Sequence, residues 1–263
     1  MTTLSLGTAL ITGASAGIGA LYAERLAHRG YDLILVARSR ERLNALAKRL
    51  TDETGRSVEV VVADLGDKAD LRRVEALLRS DASITLLVNN AGIGATDPLL
   101  VSDVDRMEEM LALNVNALMR LTYAAVPGLV ARQGTLINIA SIVAIAPEKL
   151  NGVYGGSKAF VLAFSQSLRH ELADKNVRVQ VVLPGATATD FWADAGTPLE
   201  YLPSAIVMKA DNLVDAALSG LDQGEFITVP SLPEIADLDG YEAARQKMMP
   251  NLSLNIPAAR YRL

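Results

Sequence analysis

The sequence predicts an α/β protein built on a doubly wound, mostly parallel sheet of seven strands with helices on both faces. Three observations point there. Short β-rich runs alternate with longer stretches of helical periodicity from about residue 8 to about residue 230. Most of those β-rich runs are continuously apolar, as a parallel sheet covered on both faces demands. A glycine-rich turn follows directly on the first of them.

In chain order, strands are expected at 8–12, 33–36, 58–63, 84–88, 135–140, 177–183 and 226–229. Helices are expected near 18–29, 39–54, 67–80, 102–131, 152–174 and 210–222. In the first helix Ile18, Leu21, Tyr22 and Leu26 share one face. No linker and no repeat of fixed period interrupts the rhythm, so residues 1–263 read as a single domain. A variable segment at about 187–209 breaks the rhythm. A C-terminal tail from about 230 carries Pro230, Pro233, Pro250 and Pro257.

Composition narrows the function classes. Half of the 263 residues are hydrophobic and 21% are charged, which supports a sizeable core and excludes wholesale disorder. The 25 basic residues against 30 acidic ones leave a net charge of -5, which argues against nucleic acid or an anionic membrane as main partner. The absence of cysteine excludes disulfides, thiolate catalysis and cysteine zinc sites. Two isolated histidines, His28 and His170, speak against a metal site or a histidine triad. The N-terminus lacks the basic start and long apolar stretch of a signal peptide. The longest apolar runs fall far short of the ~20 residues of a membrane helix. A soluble, cytoplasmic protein is the expectation.

After the first strand comes Thr12-Gly13-Ala14-Ser15-Ala16-Gly17-Ile18-Gly19, opening a helix. Glycines 13, 17 and 19 allow a tight turn and close backbone approach, and the helix N-terminus offers unpaired N–H groups to a pyrophosphate. The second strand ends Leu35-Val36-Ala37-Arg38-Ser39-Arg40, without the acid that binds ribose hydroxyls in NAD enzymes. A guanidinium at Arg38 suits a 2′-phosphate, so NADP(H) is favoured over NAD(H), unless Arg38 is merely a solvated loop residue. Asp64, ending the third strand, is either an acceptor for the adenine amino group or a turn residue.

Tyr154 and Lys158 lie four residues apart on one helical face. A close ammonium would lower the phenol from its ordinary value near 10 by about 1–3 units, so that it exchanges protons near neutral pH. Ser141 sits just past the fifth strand, Asn89-Asn90-Ala91-Gly92 past the fourth and Pro184-Gly185 past the sixth. All fall at the carboxyl edge of the sheet, where open α/β sheets bind ligands. Asn114 lies inside a helix, where an amide is expected to have a bonding partner.

This combination resembles the short-chain dehydrogenase/reductase family in its single-domain form, with a Rossmann-type fold, over about residues 7–230. Thr12 to Gly19 is similar to its TGxxxGIG motif and Asn89 to Gly92 to its NNAG. Asn114, Ser141, Tyr154 and Lys158 match its catalytic tetrad, and Pro184-Gly185 with Thr189 its segment at the nicotinamide. The resemblance implies Tyr154 as general acid or base, with Lys158 lowering its pKa and binding the nicotinamide ribose. It implies Ser141 holding the substrate oxygen and Asn114 holding a water that relays protons. Ile18 and Gly19 would lie along the pyrophosphate and Asn90 beside the adenine ribose, with Gly13, Ser15, Gly17 and Gly92 also binding the cofactor. Gly155 and Gly156, between Tyr154 and Lys158, depart from the usual pattern and raise a packing question.

The function expected is NADP(H)-dependent hydride transfer between the nicotinamide and a carbonyl or secondary alcohol. The alternatives are an NADPH-binding regulator without turnover and a dehydratase or epimerase on the same fold. The resemblance would place Val143, Ile145, Phe191 and Trp192 around a small-molecule substrate, or make the last two lid residues. The tail would cover the pocket or a neighbouring subunit. Helices 102–131 and 152–174 would pair copies into a homodimer or homotetramer.

Overall fold

The computed structural model describes residues 6–261. It divides into two units, Met1–Pro230 and Ser231–Leu263. The first holds a seven-stranded sheet. Its strands are β1 (Thr8–Thr12), β2 (Asp32–Ala37), β3 (Val58–Val62), β4 (Ile84–Asn89), β5 (Thr135–Ile139) and β6 (Arg178–Val182). After a separate two-stranded ribbon of β7 (Thr187–Ala188) and β8 (Met208–Lys209), the edge strand β9 (Ile227–Thr228) completes it. All neighbours run parallel, in the order β3-β2-β1-β4-β5-β6-β9. The order reverses between β1 and β4, which opens a crevice at their carboxyl ends.

The apolar runs work because each strand feeds two cores. Ala9, Ile11, Leu33 and Leu35 face one cluster, while Leu10, Ile34 and Val36 face the other. Helices α1 (Gly17–His28), α2 (Arg40–Thr54) and α8 (Ala210–Asp222) close the first face with Tyr22, Leu43 and Leu213. Helices α3 (Lys68–Ser80), α5 (Leu118–Arg132) and α6 (Gly152–Glu171) close the second with Val74, Leu121 and Leu168.

The expected helix at 102–131 is three pieces: α4 (Val104–Leu111), a π-helical stretch (Ala112–Ala117) and α5. Hydrophobic periodicity continues across the junction, so the pattern hides the wider turn, a feature that recurs at functional sites. The short α7 (Phe191–Ala195) and the β7–β8 ribbon lie in the variable segment. The second unit contains α9 (Ile235–Met248) followed by short 3-10 turns at Met249–Asn251 and Ala259–Tyr261. Among the described residues no helix is long and apolar enough to cross a membrane, and no cluster of His, Asp or Glu could hold a metal.

Beneath the crevice a buried polar ladder ties four elements together. Asn89 Nδ2 on β4 donates to Asn138 Oδ1 on β5 and to Thr122 Oγ1 on α5, both at 3.0 Å. Asn138 Nδ2 donates to Ser165 Oγ on α6 at 2.9 Å. Replacing Asn138 with Leu keeps the branched side-chain skeleton but strips these partners. The expected loss is about 1–3 kcal/mol, or roughly 3–10 °C in Tm, measured by thermal unfolding. An unchanged Tm would mean the ladder does not brace α6.

Candidate active site

The glycine turn depends on backbone conformations that side chains resist. Gly13 and Gly17 have φ of +66° and +53°, in the left-handed region. Gly19 has an ordinary φ, but a Cβ there would collide with the Gly13 carbonyl and with Asn90 Nδ2. Thr12, which the sequence reading passed over, is the hub. Its hydroxyl accepts from the Asn90 and Ala91 N–H groups at 3.0 Å each and donates to Val88 O at 3.3 Å. Asn90 Nδ2 in turn donates to Thr12 O at 3.0 Å and Gly13 O at 3.3 Å. The turn after β1 and the turn after β4 are therefore one unit.

The residues here fit a dinucleotide. The start of α1 has no side-chain cap and no acid in its first turn. In contrast α2, α3, α4 and α6 are capped by Ser39, Asp67, Asp103 and Asn151. The first-turn N–H groups of α1 are thus left for an anion. Thr189 covers this turn, its Cγ2 standing 3.2 Å from where a Gly17 Cβ would be. Ser15 and Ile18 are half-buried beside it. Arg38 is exposed and, among the described residues, has no ionic or hydrogen-bond partner. Asp64 is exposed as well, with Oδ1 accepting from Gly66 N at 2.9 Å, so that oxygen serves the turn.

At the other end of the crevice Ser141, Tyr154 and Lys158 come together. Ser141 follows β5. Its hydroxyl donates to Pro184 O and accepts from Val143 N, both at 3.3 Å, and it lies near enough to the Tyr154 phenol to favour the phenolate. Lys158 is 6% exposed. Its ammonium donates to Ile139 O at 3.1 Å and lies 5.8 Å from the Tyr154 ring centre. Gly92 leaves room where Asn114 Oδ1 and Lys158 Nζ converge, 3.0 and 3.5 Å from a Cβ at that position.

The electrostatics correct one expectation. Tyr154 is not lowered by Lys158. Burial pushes the phenol up to about 12, opposed by the nearby Ser141 hydroxyl. Lys158 is lowered to about 8, again by burial. Both groups are driven toward their neutral forms, because neither finds enough countercharge to replace water.

Asn114 is held by three hydrogen bonds. Its Oδ1 accepts from Ile93 N at 2.9 Å, and its Nδ2 donates to Ile93 O at 2.8 Å and to Ser157 Oγ at 3.2 Å. The amide pins the turn after β4 to α6. The glycine question resolves unevenly. A Cβ on Gly155 would press on Pro147 at 3.1 Å, whereas Gly156 faces open space.

Among the expected substrate residues, Val143 is buried in one cluster with Tyr154, and Phe191 packs against it. Ile145 is 38% exposed. Trp192 is buried and its Nε1 donates to Thr187 O at 2.9 Å, which anchors α7. The sequence reading also missed Asn151. Its Oδ1 accepts from Val153 N at 2.9 Å and Tyr154 N at 3.3 Å, and its Nδ2 donates to Asp97 O at 2.7 Å. An asparagine three residues before the tyrosine is the cap signal that could have revealed it. Replacing Asn151 with Ala is expected to lower stability by about 1 kcal/mol, with Ser restoring the cap but not the bond to Asp97. Equal melting of the Ala and Ser variants would refute the capping role.

Comparison with known proteins agrees with this geometry. The family described as short chain dehydrogenase matches residues 7–199. A short-chain dehydrogenase from Sphingobium yanoikuyae, solved in complex with NADPH, is 48% identical with a TM-score of 0.94, over 98% of this chain and 100% of that one. The bulky-bulky ketone specific alcohol dehydrogenase from Comamonas testosteroni is 41% identical with a TM-score of 0.90, over 98% and 100%. A very-long-chain 3-oxoacyl-CoA reductase from Anas platyrhynchos is 36% identical over 210 residues, 75% of this chain and 67% of that protein. The chain therefore belongs to the short-chain dehydrogenase family, as an oxidoreductase.

Proposed function

We propose that the protein is an NADP(H)-dependent reductase of ketones, working on a carbonyl and secondary-alcohol pair, with Tyr154 as proton donor. The observation that carries the reading is the meeting of Tyr154, Ser141 and Lys158 in one buried place at the sheet's carboxyl edge. The cofactor supplies the hydride when bound. The chain supplies position and a proton. Ser141 is placed to hold the carbonyl oxygen beside the phenol. Lys158, buried beside them, is the group available to a nicotinamide ribose. NADP(H) is supported by the free guanidinium of Arg38 at the end of β2 and by the NADPH held by the Sphingobium relative. A bulky apolar ketone is supported by the cluster of Met107, Met110, Val143 and Phe191 around Tyr154 and by the bulky-bulky ketone specificity of the Comamonas relative.

Pairing of copies is supported by an aromatic row on α5 and α6. Tyr123, 70% exposed, stacks at 6.3 Å on Phe164, which stacks at 5.6 Å on Phe160. A homo-oligomer would cover it.

Three measurements test the reading. NADPH consumption at 340 nm with aryl ketones is expected in the wild type and lost by about 100-fold or more in Tyr154→Phe. Full turnover in that variant would refute the proton donor. Arg38→Ala is expected to cut the preference for NADPH over NADH by roughly 10–100-fold, the worth of one charged hydrogen bond. An unchanged preference would refute the phosphate role. The phenol at about 12 is protonated through neutral pH, ready to donate but not to accept. Ketone reduction is thus expected to proceed at pH 7, whereas alcohol oxidation, which needs the phenolate, climbs toward pH 10. Parallel profiles in the two directions would contradict this.

A further inference from the structure

Phe191, the first residue of α7, lies across Tyr154 with ring centroids 5.7 Å apart and planes tilted by 46°. Its ring packs against the cluster that contains Met107, Met110 and Val143. Its far edge fills the space over Gly94, where a Cβ would collide with Phe191 Cζ. Gly94 does not have a left-handed φ, so what the ring requires there is room. The buried glycine is a seat for the ring.

The ring is also held from behind. Thr96 N and Oγ1 both donate to Ala195 O, at 3.0 and 2.9 Å. Arg106 Nη2 donates to Asp194 O. Trp192, anchored on Thr187 O, meets Phe191 edge-on at 5.5 Å and 88°. Arg42 on α2 reaches to 3.7 Å from Asp190. These contacts bind α7 to the turn after β4, to α4 and to α2. Phe191 is therefore a fixed side of the space above the phenol rather than a free flap.

A ketone brings two substituents to the phenol, one on each side of its carbonyl. With Phe191 seated, the side toward Gly94 and α4 is already filled by a ring. We infer that Phe191, seated on Gly94, sets the largest substituent the substrate can carry on that side. The inference rests on the reductase reading above. Removing the ring opens a space the size of a phenyl group next to Met107 and Met110. Their unbranched side chains repack around what enters. Apolar pockets discriminate by about tenfold or more for groups of this size.

The test compares acetophenone with benzophenone, which replaces a methyl by a second ring. In Phe191→Ala the benzophenone-to-acetophenone ratio of kcat/KM is expected to rise about tenfold or more, while the KM for NADPH stays within about twofold. Gly94→Ala pushes the ring off its seat toward the phenol, so the same ratio is expected to fall. If that variant does not fold, Phe191→Leu takes its place and is expected to lie between wild type and Phe191→Ala. Calorimetric titration of benzophenone into the NADP⁺-saturated proteins reads the same wall without turnover. Tighter binding by Phe191→Ala is expected. Equal ratios and equal benzophenone binding in wild type and Phe191→Ala would overturn the inference. Tighter binding in the variant with no ketone turnover in any protein would uphold the wall and overturn the reductase reading instead.

Discussion

The site is organised around an ammonium group driven out of water. Lys158 lies on α6 between the sheet and the turn after β4, and among the described residues its hydrogen-bond partner is one carbonyl, that of Ile139. Removing a cation from water without a countercharge is unfavourable, and its pKa falls accordingly to about 8. A protein selected for stability alone would place an apolar side chain there. The surrounding structure keeps the lysine in place. The Asn89–Asn138–Ser165 ladder braces α6 against β4 and β5, Asn114 clamps the facing turn, and Asn151 caps the helix three residues before Tyr154.

The two ends of the crevice are coupled through the same loops. Thr12 joins the glycine turn to the Asn90 segment, and Asn114 joins the residues that follow it to α6. A ligand lying along the crevice from the start of α1 to Tyr154 would thus touch one continuous hydrogen-bonded frame. Under the proposed function, ordinary backbone and amide contacts would hold chemistry at Tyr154 in register with anion binding some distance away.

Much of the fold was legible because parallel strands buried on both faces leave continuous apolar runs, as at β1 and β2. The three side chains that meet at the crevice, Ser141, Tyr154 and Lys158, were legible as candidates because one follows a strand end and the other two lie at helical spacing. Other features left no such trace. The π-helical stretch at Ala112–Ala117 carries the same apolar pattern as its neighbours, and α7 is too short to show any periodicity. The roles of Thr12, Gly94 and Arg106 arise only where distant segments meet, as Arg106 does with Asp194 O. The ionisation of Tyr154 was misjudged for a related reason. Spacing brought Lys158 near, but burial of the phenol decided the direction.

The most direct test of this account is the stability of Lys158→Met against pH in the cofactor-free protein. The lysine's folded value, about 8, lies below its ordinary 10.5, so the unfolded chain holds the proton more tightly. The resulting loss of stability is fully present below about pH 8 and fades as the pH rises toward 10.5. Thermal unfolding is expected to show Lys158→Met melting above the wild type at pH 7, with the gap closing by about pH 10. A variant that melts below the wild type at pH 7, or a gap that ignores pH, would contradict the claim that the site holds an uncompensated buried charge.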